Sequence, residues 1–187
     1  VLQADLTEGL RALVLDPTSG SILAAGYVVQ GSFFHLAAVR LLPNGSPDGT
    51  FDDDGIWIDP ALDDGVATSM QLQGDGKILV AGHDHPTGPS GYDFVVHRLL
   101  PNGDADASFG TLGVSAVSFD LDPFVADHLF ATTLHSGKLV AAGYAHDPVA
   151  HDLRAVVARL WSDLIFTDGF ERASAGADQQ STRDDRR

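Results

Sequence analysis

GSILAAGY (residues 20–27), GKILVAGH (76–83) and GKLVAAGY (137–144) are three versions of one segment, and their recurrence decides the fold. Gly26, Gly82 and Gly143 stand in register, 56 and then 61 residues apart. Self-similarity at such a period marks a solenoid, propeller or array in which each unit is one supersecondary motif. The likeness continues downstream. AVRLLPNG (38–45) matches VHRLLPNG (96–103), the third copy keeps VARL (157–160), and Arg40, Arg98 and Arg159 hold the same place. Phe51 with Gly55 matches Phe109 with Gly113, 58 residues on, and both lead into apolar stretches at 56–58 and 114–119. Each unit thus has four short apolar segments.

These segments read as strands, because they are too short for helices, rich in Val and Ile, and separated by turn chemistry such as Asp75-Gly76 and Asn102-Gly103. In the second unit they fall at 67–72, 77–83, 92–100 and 114–119. The tight Gly74-Asp75-Gly76 link calls for a hairpin turn with positive φ, which glycine adopts without steric cost. A meander of consecutive antiparallel strands follows. One helical turn is suggested near 122–128.

The run DGKILVAG (75–82), then DFVVHRLLPNG (93–103), then ASFG (107–110) and an apolar strand resembles the delta-60 repeat, a bacterial β-propeller-like repeat. The resemblance covers nearly all of residues 1–171 and is best over 66–128. Unit one departs from it with Pro17-Thr18-Ser19-Gly20 at the tight turn, and unit three lacks the PNG and SFG elements. It implies an all-β fold: a β-propeller-like array of about three four-stranded antiparallel blades, part of a larger propeller or open at its ends. The units run roughly 7–65, 66–128 and 129–171. Residues 1–6 are expected to end a preceding unit, which brings the strands to twelve, and LIFTDGFE (164–171) to add the last strand of a C-terminal cap. Residues 172–187 are polar, rich in small residues, and expected to be a disordered tail. The resemblance also implies a secreted or surface protein, extracellular and bacterial, with a scaffold or binding role, and neighbouring repeats of the same chain as partners.

Composition bounds the partners. At 44% hydrophobic the chain can build a core. Seven Lys and Arg stand against 23 Asp and Glu up to residue 171, a net charge of −16. Nucleic acid and anionic membrane surfaces are therefore disfavoured, since both need clustered cations. Apolar runs such as 36–42 and 139–142 are far short of the ~20 residues that span a bilayer, and each contains or adjoins polar residues, so no membrane insertion is expected. There is no cysteine, which removes disulfides, thiolate metal sites and thiol nucleophiles together.

If the strands alternate up and down, the second-to-third loops and the links between units share one face. That face collects His83, Asp84 and His85 from unit two, and His146, Asp147, His151 and Asp152 from unit three. The links add Asp59, Asp63, Asp64, Asp120, Asp122, Asp127 and His128. Loops held on a rigid frame carry binding, so this acidic, His-containing face is where a protein, glycan or cation would meet the molecule. His83 and His85 occupy alternate positions and offer imidazoles to a metal, but no third ligand is fixed by spacing, and solvated loop histidines are the simpler reading. His85 and His146 both follow the repeat glycine by three.

Asp52-Asp53-Asp54-Gly55 has the carboxylate density of a calcium loop without the EF-hand spacing, so calcium is a conceivable stabiliser and no cofactor is implied. No nucleophile elbow, zinc-protease helix or dinucleotide fingerprint is present. The repeated arginines sit inside strands and are expected to pair with a neighbouring blade's carboxylate. The sequence thus points to a non-enzymatic binding or scaffold module. The alternative is a secreted hydrolase using paired loop carboxylates on a propeller frame.

Overall fold

The computed structural model describes residues 8–61, 64–85, 91–119, 126–147 and 152–161, and every regular element among them is a strand. In unit one, β1 (Glu8–Leu15), β2 (Ile22–Gln30), β3 (Phe33–Leu41) and β4 (Ile56–Ile58) pair in sequence order. Unit two repeats the arrangement with β5 (Val66–Leu72), β6 (Ile78–Asp84), β7 (Asp93–Leu99) and β8 (Val114–Val117). Unit three adds β9 (His128–His135), β10 (Lys138–Asp147) and β11 (Asp152–Trp161). All pairings are antiparallel. The result is three unclosed meander sheets of 4, 4 and 3 strands, the β-propeller-like array expected.

Eleven strands are described. The twelfth, expected at 1–6, lies outside the described residues, as do the cap strand at 164–171, the tail at 172–187 and most of the helical turn suggested near 122–128. Residues 126 and 127 lead straight into β9.

The second and third strands of unit two are buried on both faces, which is why ILVAG and FVVHRL read as nearly continuous apolar runs. The first strands of successive units lie side by side, β1 by β5 and β5 by β9. Between β5 and β9 the contact is polar: Thr68 Oγ1 donates to the Leu129 carbonyl at 2.7 Å, and Gln71 Nε2 to the Thr132 carbonyl at 2.9 Å.

The first turn of each unit uses a left-handed glycine. In unit two Gly76 has φ 84°, with its N–H donating to the Gln73 carbonyl at 2.9 Å. In unit one Gly20 has φ 73° and closes a longer turn from Asp16 to Ser21. Unit three has a two-residue turn in which Ser136 (φ 49°) and Gly137 (φ 69°) are both left-handed, the type I′ geometry that suits hairpin twist.

The signature glycines Gly26, Gly82 and Gly143 have another reason to exist. Each lies where the first strand of its unit carries a β-bulge, with the pairing slipping between Leu10 and Ala12, between Ala67 and Ser69, and opposite Ala142 and Gly143. A Cβ on these glycines would sit 1.8 Å from the Gly9 carbonyl oxygen, 2.0 Å from that of Val66 and 1.9 Å from that of His128. The requirement is space for the bulged backbone, met alike in all three units.

Two apolar seams join the sheets. Units one and two share Leu23, Leu36, Phe51, Trp57, Met70, Ile78, Val80 and Val95. Units two and three share Leu79, Phe94, Val96, Phe109, Val117, Leu129, Leu139, Ala145 and Ala158.

Two of the repeated arginines, Arg40 and Arg98, pair with a carboxylate of their own unit, which corrects for them the expectation of a neighbouring blade's acid. Arg98 Nε lies 2.9 Å from Asp106 Oδ2, its Nη2 donates to Ser108 Oγ at 2.9 Å, and its guanidinium sits 4.7 Å from the centre of the Phe109 ring. Arg40 repeats this with Asp48 (2.8 Å), Thr50 (2.8 Å) and Phe51 (5.0 Å). What Arg40 does offer the next unit is Nη1, which donates to the Pro101 carbonyl. The short Asp-x-Ser/Thr-Phe return segment is what brings the acid back to its own arginine.

Arg98 is 2% exposed, so Arg98→Ala removes the buried partner of Asp106 and leaves it to Lys77 (3.2 Å) and Ser108, which should cost about 2–3 kcal/mol in urea unfolding. Arg40→Ala, at a wetter pair, should cost clearly less. Burial works to raise the Asp106 pKa, but Ser108, Lys77 and Arg98 outweigh it and bring it down to about 2. The lowered folded value means that the stabilisation is present above the unfolded pKa near 4 and is lost as pH falls from there through about 2. Arg98→Ala should shrink that acid-induced loss.

Candidate functional site

The second-to-third loop end of the sheets carries a row of rings. The residue after each signature glycine is Tyr27, His83 or Tyr144. In the first two units a second ring from the start of the third strand meets it edge-on: Phe34 lies 5.1 Å from Tyr27 and Tyr92 lies 5.7 Å from His83. His128 joins units two and three, with its ring centre 4.3 Å from His83, 5.4 Å from Tyr92 and 4.9 Å from Tyr144. Phe130, 58% exposed, extends the row 5.4 Å beyond Tyr144.

Asp64 ties this end together. Its carboxylate accepts the Phe34 N–H at 2.9 Å and the Tyr92 hydroxyl at 2.8 Å, and its carbonyl accepts the His85 N–H at 3.1 Å. Burial, and then the bond to Asp64, push the Tyr92 phenol up to about 12. Burial lowers His83 to about 4, with the neighbouring His128 adding to the effect, and burial also lowers His128. Both imidazoles are therefore neutral at physiological pH and act as polar rings.

The residues anticipated from sequence are dispersed. His83 faces His128, while His85 lies 5.3 Å from Tyr92, edge to face. His146 holds the same repeat position as His85 but lies within β10 opposite Leu153, in unit three. Asp127 is buried as a strut, its Oδ2 accepting the Phe119 N–H at 2.8 Å and its own N–H donating to the Tyr92 carbonyl at 2.6 Å. Asp147 pairs with Arg154 Nε at 2.5 Å, and Asp152, opposite Asp147 in the register, is exposed. Asp120, Asp122 and His151 lie outside the described residues.

Asp84 is buried, away from the solvent-facing loops, beside Asp59 and His97. The ligating atoms of these three residues all lie within 4.8 Å of one another. His97 Nε2 is 3.3 Å from Asp59 Oδ2, and its ring is 5.2 Å from Trp57. His97 escaped notice in the sequence because it sits inside an apolar strand. Its signal was positional, as the matching residues are Val39 and Ala158. The ring row was equally visible in the aligned segments, each with a ring after its glycine.

The acidic turn at Asp52-Asp53-Asp54 is exposed and lies away from the ring row. Asp52 and Asp53 have φ 46° and 64°, and Asp54 Oδ1 accepts the Ile56 N–H at 2.9 Å. Burial, together with Asp54, Asp53 and Asp104, raises the Asp52 pKa.

A family model described as a domain of unknown function (DUF5122) beta-propeller matches residues 18–51 and 73–109. The two stretches run from the first tight turn of units one and two to Phe51 and Phe109, the ring under each Arg–Asp pair. No curated protein matches the chain.

Because the folded His83 stays neutral down to about 4 while the unfolded residue takes a proton near 6.5, the unfolded state binds more protons between those values. Stability should therefore fall as pH drops from 6.5 through 4, by about 2–3 kcal/mol from this group. Urea midpoints measured across that range should show His83→Phe losing this component and keeping the carboxylate-driven part below pH 4.

Proposed function

We propose that this chain is a non-enzymatic repeat module, acting outside the cell or at a bacterial cell surface, that binds a protein or glycan through its ring-lined, acidic loop face. The reading is carried by the ring row: Tyr27, His83 and Tyr144 at one repeat position, supplemented by Phe34, Tyr92, His128 and Phe130. Tyr and Phe supply rigid contact area at low conformational-entropy cost. The Asp64 tie holds the row in place before any partner arrives, which lowers the ordering penalty of association. The net charge of −16 up to residue 171 favours neutral or cationic partners over polyanions. No cofactor enters this reading.

The test is binding of the purified full chain to neutral polysaccharides and cationic peptides, measured by calorimetry. Phe130→Ala with Phe34→Ala should weaken the interaction at least tenfold while leaving Tm within a few degrees, because both rings are exposed. Binding indifferent to both substitutions would contradict the proposal. So would substrate turnover abolished by a single loop-face Asp→Asn change, which would favour the hydrolase.

A further inference from the structure

The two seams place the same repeat positions in contact but fill them with different chemistry. Where units two and three meet, the positions are Val117, Ala145 and Ala158, all buried in one apolar cluster. Where units one and two meet, the matching positions are Asp59, Asp84 and His97, exposed by only 7%, 8% and 4%. The match is fixed by the backbone. Asp59 follows β4 as Val117 ends β8, with the Asp59 N–H bonded to the Leu36 carbonyl and Val117 paired with Phe94, 58 residues on. Asp84 and Ala145 each stand two residues after the signature glycine, while His97 and Ala158 each precede the repeated arginine.

We propose that Asp59, Asp84 and His97 form a buried site for a divalent first-row transition metal of the zinc type, which bolts unit one to unit two. Three changes from aliphatic to ionisable residues, on three different strands or strand ends, converge on one point. Two carboxylates and an imidazole bind a divalent cation in their deprotonated forms, and the two negative charges they then carry match the charge of the ion.

Imidazole nitrogen with carboxylate oxygen suits zinc and its neighbours, whereas calcium takes six to eight oxygens. Bonds of about 2.0–2.2 Å place the donors around a tetrahedral zinc roughly 3.4 Å apart. The His97 Nε2–Asp59 Oδ2 separation of 3.3 Å already has that value. The widest spacing in the triad is within 4.8 Å, so a carboxylate shift of at most about 1.4 Å completes three ligands and leaves the fourth to water. A cleft of about 310 Å³ lined by Trp57, Asp59, Pro60 and His97 gives an ion its way in. The site is independent of the ring row.

The experiment uses the full chain, stripped with chelator and dialysed, then titrated with zinc alone. Micromolar or tighter binding of one equivalent is expected, with Tm rising by roughly 5–10 °C at a hundredfold excess over Kd. Cobalt in place of zinc should give visible absorption of a low-coordinate nitrogen–oxygen site. The variant Asp59→Val/Asp84→Ala/His97→Ala copies the other seam. It should fold, lose the zinc-dependent rise in Tm and lose the cobalt spectrum. His97→Ala alone, the milder change, should weaken zinc binding at least a hundredfold. Failure of the stripped wild-type chain to bind zinc would overturn the proposal, as would undiminished binding by either variant, which would assign the ion to loop histidines.

Discussion

The structure depends on a close approach of backbone to backbone that is made three times. In each unit the bulged first strand pushes a carbonyl oxygen into the space that a side chain would need at the signature glycine. None of these glycines has a positive φ, so conformational freedom is not what selects them. A bulge bends and twists its strand, and repeating it at one register gives every sheet the same shape. Sheets of like shape stack through like positions, and Ala25 and Ala81, each one residue before its glycine, are both fully buried.

Stacking then divides into two kinds of seam. Units two and three meet through Phe, Val, Leu and Ala alone at the positions beside Phe94. Units one and two share an equally apolar centre, but beside it stand two carboxylates and an imidazole. Apolar seams built from a common repeat are interchangeable in principle, because area burial is non-directional. Buried ionisable groups are directional and costly when one partner is missing, which sets this seam apart from the apolar one. The Arg–Asp pairs act within a unit: they fasten the return segment under the third strand, and Phe51 and Phe109 are held against the guanidinium as part of the seam.

Much of the fold was legible in the sequence, because its determinants are local. Short Val- and Ile-rich runs, the Asp75-Gly76 turn and the repeat period fix strand number, order and direction. The boundaries fell within two residues, with 77–83 expected against Ile78–Asp84 observed. The site was less legible, because it is made by contacts between units. His83 and His128 are 45 residues apart, and nothing along the chain sets them 4.3 Å from each other. Asp84 and Asp127 looked like loop acids and proved to be buried, Asp84 beside Asp59 and His97 and Asp127 bonded to the Phe119 N–H, all contacts set by the fold and not by local sequence. His97 was hidden within an apolar run. Comparing it with Val39 and Ala158 at the same repeat position would have exposed it, since a charge-bearing residue in an aliphatic column has to be explained.

The most direct test of the glycine–bulge constraint is equilibrium urea unfolding of Gly82→Ala beside Gly74→Ala. A Cβ on Gly82 would lie 2.0 Å from the Val66 carbonyl oxygen, whereas one on Gly74 meets nothing within 4 Å. Gly82→Ala should lose about 3 kcal/mol or more, or fail to fold, while Gly74→Ala stays within about 1 kcal/mol of the parent. Equal stability of the two variants would contradict the account.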